Sequence, residues 1–254
     1  MVLWAALSVR YLKKINFFTG ANETKAQLPH LSIWDLLGAS AVFYLTYAAL
    51  VPVVKKFAHL PIAPEILGLL LFAITFFGYC LLIHKRLFPY FKNEGFIFGV
   101  LSWFIIYPFV FLWASAVDFV LEHGWGYTPQ VQVAVNYLKD NQDKPYVFML
   151  LVFFIVFIVP AMEEILFRGF LQSWLRSFMG PIGAIILTAL IFAFFHFSPA
   201  QGLSNITIVS SLFILATFLG ALLEKTKSLR TPIGLHATFN GLSILFIFLK
   251  DKSL

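Results

Sequence analysis

Charge is what this sequence has least of. Asp, Glu, Lys and Arg make up 12% of its 254 residues, roughly half the share usual in soluble domains. That scarcity excludes a globular surface bathed in water, and 60% hydrophobic residues with a mean hydropathy of +0.87 point the same way. Cysteine is nearly absent too. Cys80 stands alone, so no intrachain disulfide can form. Internal repeats, low-complexity tracts and Gly/Ser linkers are missing as well, which leaves one membrane-embedded unit instead of an array of domains. The net charge of +6 comes without any basic nucleic-acid motif. Nucleic acid is therefore not an expected partner, and the basic side chains are read as loop residues that face anionic lipid head groups.

What the chain does have is long apolar runs. A membrane span needs about 20 such residues. Seven segments meet that need, 32–54, 61–83, 96–118, 145–170, 181–198, 203–223 and 231–249, with room for an eighth. The predicted fold is all-α, a polytopic transmembrane helical bundle. Residues 1–31 read as an interfacial amphipathic segment and not a signal peptide, because Arg10, Lys13 and Lys14 follow the apolar stretch instead of preceding it. Three peripheral spans fill 32–120, an extramembrane loop fills 121–144, and a core of four spans around an intramembrane cavity fills 145–250. With a cytoplasmic N-terminus, only Lys55, Lys56, Lys139, Lys144, Lys250 and Lys252 lie outside, and the other twelve of the 18 Lys and Arg lie inside. That bias favours a cytoplasmic N-terminus in a multi-pass protein of the cell membrane.

The fourth apolar run ends in an unexpected way. "PAMEEILFRGF" brings Glu163, Glu164 and Arg168 into or beside a lipid-facing helix. Three charges exposed at mid-bilayer would cost roughly 7–10 kcal/mol in total, so they must face protein or a water-filled cavity. The helix can continue to Gly180-Pro181, a strong stop. Two antiparallel helices joined there put Glu163 and His196 at equal depth, roughly 24 Å from the turn. At 100° per residue, Glu164 and Arg168 lie about 40° apart and can pair, whereas Glu163 lies about 140° from Arg168 and stays available. A carboxylate in such a setting is a candidate general base. In the last span His236 and Asn240 are i,i+4, two donors on one face that suit an oxyanion. Phe192 is i,i+4 to His196, which sets an aromatic ring beside the imidazole.

Glu163-Glu164-x-x-x-Arg168, Phe192-x-x-x-His196 and His236-x-x-x-Asn240 together resemble the three motifs of the CAAX protease and bacteriocin-processing family of intramembrane glutamic endopeptidases. The resemblance covers about residues 145–249. It implies that Glu163 and His196 activate a water for peptide-bond attack and that His236 and Asn240 stabilise the oxyanion. It implies that Glu164 and Arg168 support them and that no metal or cofactor is needed. The implied partners are membrane lipids and a membrane-associated or prenylated protein or peptide substrate.

Two other readings compete. A zinc peptidase would use Glu and two His as ligands, but the spacing is not H-E-x-x-H. A non-catalytic scaffold, immunity factor or transporter subunit would also carry intramembrane ionisable residues. The transporter form is disfavoured by the lack of inverted repeats.

Overall fold

The computed structural model describes residues 31–56, 64–91, 95–128, 130 and 132–251. The expected amphipathic segment at 1–31 lies outside these residues except for Leu31. The described residues form helices and short connections, with no strand among them. In chain order the helices are α1 (Ile33–Lys56), α2 (Pro64–Leu82), α3 (Phe96–Trp125), α4 (Val133–Asp140), α5 (Pro145–Phe153), α6 (Val159–Glu164), α7 (Ser173–Phe194), α8 (Ser204–Thr226) and α9 (Arg230–Asp251). A helical turn at His84–Leu87 and a 3₁₀ turn at Phe88–Phe91 follow α2.

Among the described residues, each of the seven expected apolar segments is largely helical, and 145–170 and 181–198 belong to one helical run broken at Gly180. By length and composition, four helices among the described residues can cross a membrane: Phe96–Trp125, Pro145–Phe194, Ser204–Thr226 and Arg230–Leu249. A fifth is counted if Ile66–Leu82 and Lys85–Phe91, bent by 77°, act as one span. The chain is a multi-pass helical membrane protein.

Two elements differ from the expected boundaries. α3 runs on to Trp125, and α4 occupies part of the 121–144 connection, so that connection is not all loop. α4 is held there because Leu138, fully buried, packs with Ile66 and Leu151.

The 50-residue helical run Pro145–Phe194 is not one rod. Gly180 sits at φ 71°, ψ 176°, a conformation that costs a residue with a Cβ and that glycine adopts freely. Pro181 follows and has no N–H to continue the ladder. The chain therefore folds back at this point. Phe167 meets Phe192 with ring centroids 5.0 Å apart, and the Arg168 guanidinium lies 4.6 Å over the Phe192 ring. Both contacts are nearly symmetric in sequence about residue 180, as an antiparallel hairpin requires.

Around this hairpin the other helices close a core. α8 contributes Leu215, Leu219, Leu222 and Leu223, all buried, the spacing of one helical face. α3 and α9 approach backbone to backbone. A Cβ on Gly99 would collide with the Thr231 carbonyl oxygen, and one on Gly234 with the Phe96 carbonyl oxygen. α1 is anchored at its start by Ser32 and Asp35, which cap each other reciprocally, and by an ion pair from Arg86 to Asp35.

Candidate active site

The glutamates stand on an unusually short piece of α-helix. α6 has six residues and lies between two π-helical stretches, Phe154–Ile158 and Ile165–Gln172. Each π turn inserts about one residue and so rotates the following side chains by roughly 100° about the axis. Such turns recur at functional sites. The faces of α5, α6 and α7 are therefore set independently along one continuous run.

Glu164 and Arg168 pair as their spacing predicts. Arg168 Nη1 donates to Glu164 Oε1 at 3.1 Å, and both side chains are fully buried. Arg168 Nη2 donates to the Ala216 carbonyl on α8 at 3.1 Å, and the guanidinium lies over Phe192. A buried ion pair depends on partners for its remaining protons and lone pairs. These contacts satisfy both Arg168 Nη atoms and Glu164 Oε1, while Glu164 Oε2 and Arg168 Nε have no hydrogen-bond partner among the described residues. One turn further on, Gln172 repeats the arrangement and donates to the Gly220 carbonyl at 3.1 Å.

His236 completes the group in a way its spacing with Asn240 does not predict. Its Nδ1 lies 2.8 Å from Glu164 Oε1, so the ring N–H donates to the carboxylate that Arg168 also holds. This fixes the ring and turns Nε2 toward Glu163, 3.7 Å from Oε2. On the other side, His196 Nδ1 lies 2.9 Å from the Phe192 carbonyl. A carbonyl only accepts, so Nδ1 carries the hydrogen and the neutral ring presents an Nε2 lone pair. That atom is 3.9 Å from Glu163 Oε1. The Glu163 carboxylate thus lies between two imidazole Nε2 atoms, one oxygen toward each. Phe192 packs against both rings, with centroids 4.8 Å from His196 and 5.8 Å from His236.

Burial divides the group. Glu164, Arg168 and His236 are at most 4% exposed, whereas the Glu163 and His196 side chains are 24% and 32% exposed. The exposed pair lines a cavity of about 310 Å³ whose other walls are Val159, Met162, Leu166, Phe167 and Phe195, with Phe72 and Phe76 from α2. The inner trio is scaffold-like, and the outer pair faces the space a ligand would enter.

The seven expected site residues all lie here: Glu163, Glu164, Arg168, Phe192, His196 and His236 in direct contact, with Asn240 one turn along α9. Asn240 and His236 bond different protein groups. Asn240 Nδ2 donates to the Ile155 carbonyl at 3.0 Å. Beyond the expected set stands the wall made by Phe72 and Phe76, which sequence reasoning passed over because an aromatic in an apolar helix carries no signal of its own. The carbonyls of Ala216, Phe192 and Ile155 are equally silent in sequence, since every residue has one. Among the described residues, no group of three or more His, Cys, Asp or Glu is arranged to hold a metal ion.

Residues 145–242 match the family model Rce1-like, described as type II CAAX prenyl endopeptidase Rce1-like. This segment is similar to that family. It contains every residue of the three motifs, from Glu163 to Asn240, and it begins where α5 begins. The similarity spans the core and supports a CAAX-type membrane peptidase in general, while α1 to α4 lie outside the matched residues. Comparisons with curated proteins and with solved structures gave no match.

Proposed function

We propose that the chain is an intramembrane endopeptidase that hydrolyses a peptide bond of a membrane-associated or prenylated substrate with a water activated by Glu163 and His196. The observation that carries this reading is the Glu163 carboxylate held between His196 and His236 at the wall of an apolar cavity. A separation of 3.9 Å is too long for a direct hydrogen bond. It approaches the roughly 4.4 Å that separates two acceptors sharing the two hydrogens of one water. Glu163 Oε1 and His196 Nε2 are both acceptors, so a water donating to both turns its oxygen lone pair outward.

Proton transfer to Glu163 as that oxygen attacks the carbonyl carbon gives the tetrahedral intermediate. Return of the proton to the amine nitrogen releases the two peptide products. The developing oxyanion needs a donor. His236 in its protonated form supplies Nε2–H, with Glu164 accepting from Nδ1 and holding the ring. The formal charges of Glu163, Glu164, Arg168 and protonated His236 then cancel, which suits a site in a bilayer. In this reading no metal takes part, the chain resides in the cell membrane with its N-terminus cytoplasmic, and its partners are lipids and the substrate chain.

The test compares the C-termini of membrane proteins in cells carrying wild type or Glu163→Ala. Specific C-termini are expected to be lost in the variant, and loss in Glu163→Ala and His196→Ala alike supports the water-activating pair. Unchanged cleavage by purified Glu163→Ala overturns it. Activity lost to a chelator and restored by zinc replaces it with a metallopeptidase, and a cellular phenotype kept by both variants replaces it with a scaffold.

A further inference from the structure

The hydrogen bond between Asn240 and Ile155 has a cause in the backbone. In the π turn Phe154–Ile158, the Val159 N–H donates to the Phe154 carbonyl, five residues back. The Ile155 carbonyl would ordinarily accept from Val159 in an α-helix, but that N–H is spent. In the π register its partner would be residue 160. Residue 160 is proline and has no N–H. The ladder therefore leaves one carbonyl open inside a membrane protein, where an unpaired backbone group is costly. Asn240 Nδ2 fills it at 3.0 Å. Because a carbonyl only accepts, the amide orientation is fixed by its partner. The next residue, Gly241, would place a Cβ 3.4 Å from Val156 in the same turn, so α9 lies close against it.

The consequence reaches Glu163. The π turn sets the rotation of α6 relative to α5, and α6 carries both glutamates. α9 grips this run at two points. His236 holds Glu164, and Asn240 holds the carbonyl that Pro160 leaves open. We infer that Asn240 is a positioning residue whose side-chain amide replaces the N–H missing from Pro160, closing the π turn that aims Glu163 at His196. This deepens the peptidase reading and rests on it for the consequence on cleavage.

The test is a double-mutant cycle in the full-length chain, with Asn240→Ala, Pro160→Ala and both together. An alanine at 160 restores an N–H. In the π register it reaches Ile155, and in an α register Val159 reaches Ile155 instead, so either way the carbonyl is paired without Asn240. Asn240→Ala alone is expected to lower the melting temperature in detergent by about 2–4 °C and kcat on a reporter substrate by about tenfold, with KM little changed. In the Pro160→Ala background both losses are expected to shrink by more than half.

Equal melting losses in the two backgrounds overturn the inference, because the amide then does not substitute for the missing N–H. A melting loss that shrinks while the kcat loss stays equal also overturns it, since the amide then acts on the reacting atoms. Should Asn240→Ala fail to accumulate, its recovery by Pro160→Ala supports the inference and failure of both forms overturns it. The melting cycle needs no activity, so it decides the Asn240 bond even if Glu163→Ala retains cleavage and the peptidase reading itself fails.

Discussion

Glu163 and His196 face each other 3.9 Å apart across a hairpin whose turn, Gly180, lies midway between them in sequence. Neither makes a short hydrogen bond to the other, and each is oriented by something else, Glu163 by the turn of α6 and His196 by the Phe192 carbonyl. Glu163→Gln keeps the shape and removes the base. It is expected to lower kcat by about 10²–10⁴-fold while the melting temperature stays within a degree or two of wild type. Cleavage assays and thermal melts on the same preparation separate the two effects.

Arg168 tests the other half of the group. Glu164 is fully buried and shares its Oε1 between Arg168 and His236. Arg168→Ala leaves a buried carboxylate short of its cation and opens a cavity under Phe192. The expected cost is about 3–5 kcal/mol, a fall in melting temperature of roughly 10 °C. Arg168→Lys is expected to recover less than half of it, because one ammonium cannot serve Glu164, the Ala216 carbonyl and the Phe192 face together.

How much of this was legible in sequence follows from what side chains advertise. Apolar runs gave the helices, because a bilayer leaves few alternatives. The spacing of Glu164 and Arg168 gave their pair, and the stop at Gly180-Pro181 gave the depth match of Glu163 with His196. Helical rotation hid the rest. A uniform 100° per residue does not anticipate two π turns, and those turns decide what Asn240 and His236 can reach. The i,i+4 spacing of that pair put them on one face, but it did not reveal their protein partners, Glu164 for His236 and Ile155 for Asn240. Pro160 was visible as a helix irregularity, yet the carbonyl it strands became meaningful only once the π register was known.

The contact between α3 and α9 predicts that residues outside the Rce1-like segment govern the site. Gly95 and Gly99 lie one turn apart on the face that meets α9, where Thr231 and Leu235 approach. Gly99→Leu cannot be seated without driving α9 away and shifting His236 and Asn240 with it. Overpacking of this kind costs about 1–3 kcal/mol, and kcat is expected to fall by more than the melting shift alone implies. Gly78→Leu on α2, where a Cβ would meet nothing within 4 Å, is the control and is expected to leave both unchanged.

Phe72 and Phe76 predict where selectivity resides. They belong to α2, yet they wall the same cavity of about 310 Å³ as Glu163 and His196. Phe76 is 1% exposed and packs in the core with Cys80 and Phe170, so truncating it would confound packing with selectivity. Phe72 is only partly buried and is the better probe. Phe72→Ala enlarges the apolar wall without touching the carboxylate or either imidazole. A substrate group that fills the wild-type cavity loses contact area, and a bulkier one gains room. One methylene in such a pocket changes kcat/KM by about 10–200-fold at most, so a benzyl-sized change is expected to reorder a panel of substrates differing in one apolar side chain near the scissile bond. The ratio of kcat/KM between large and small members of the panel should shift by about tenfold or more toward the large, with the melting temperature nearly constant. If all members change by the same factor, α2 is a structural wall, and selectivity belongs to the Rce1-like helices alone.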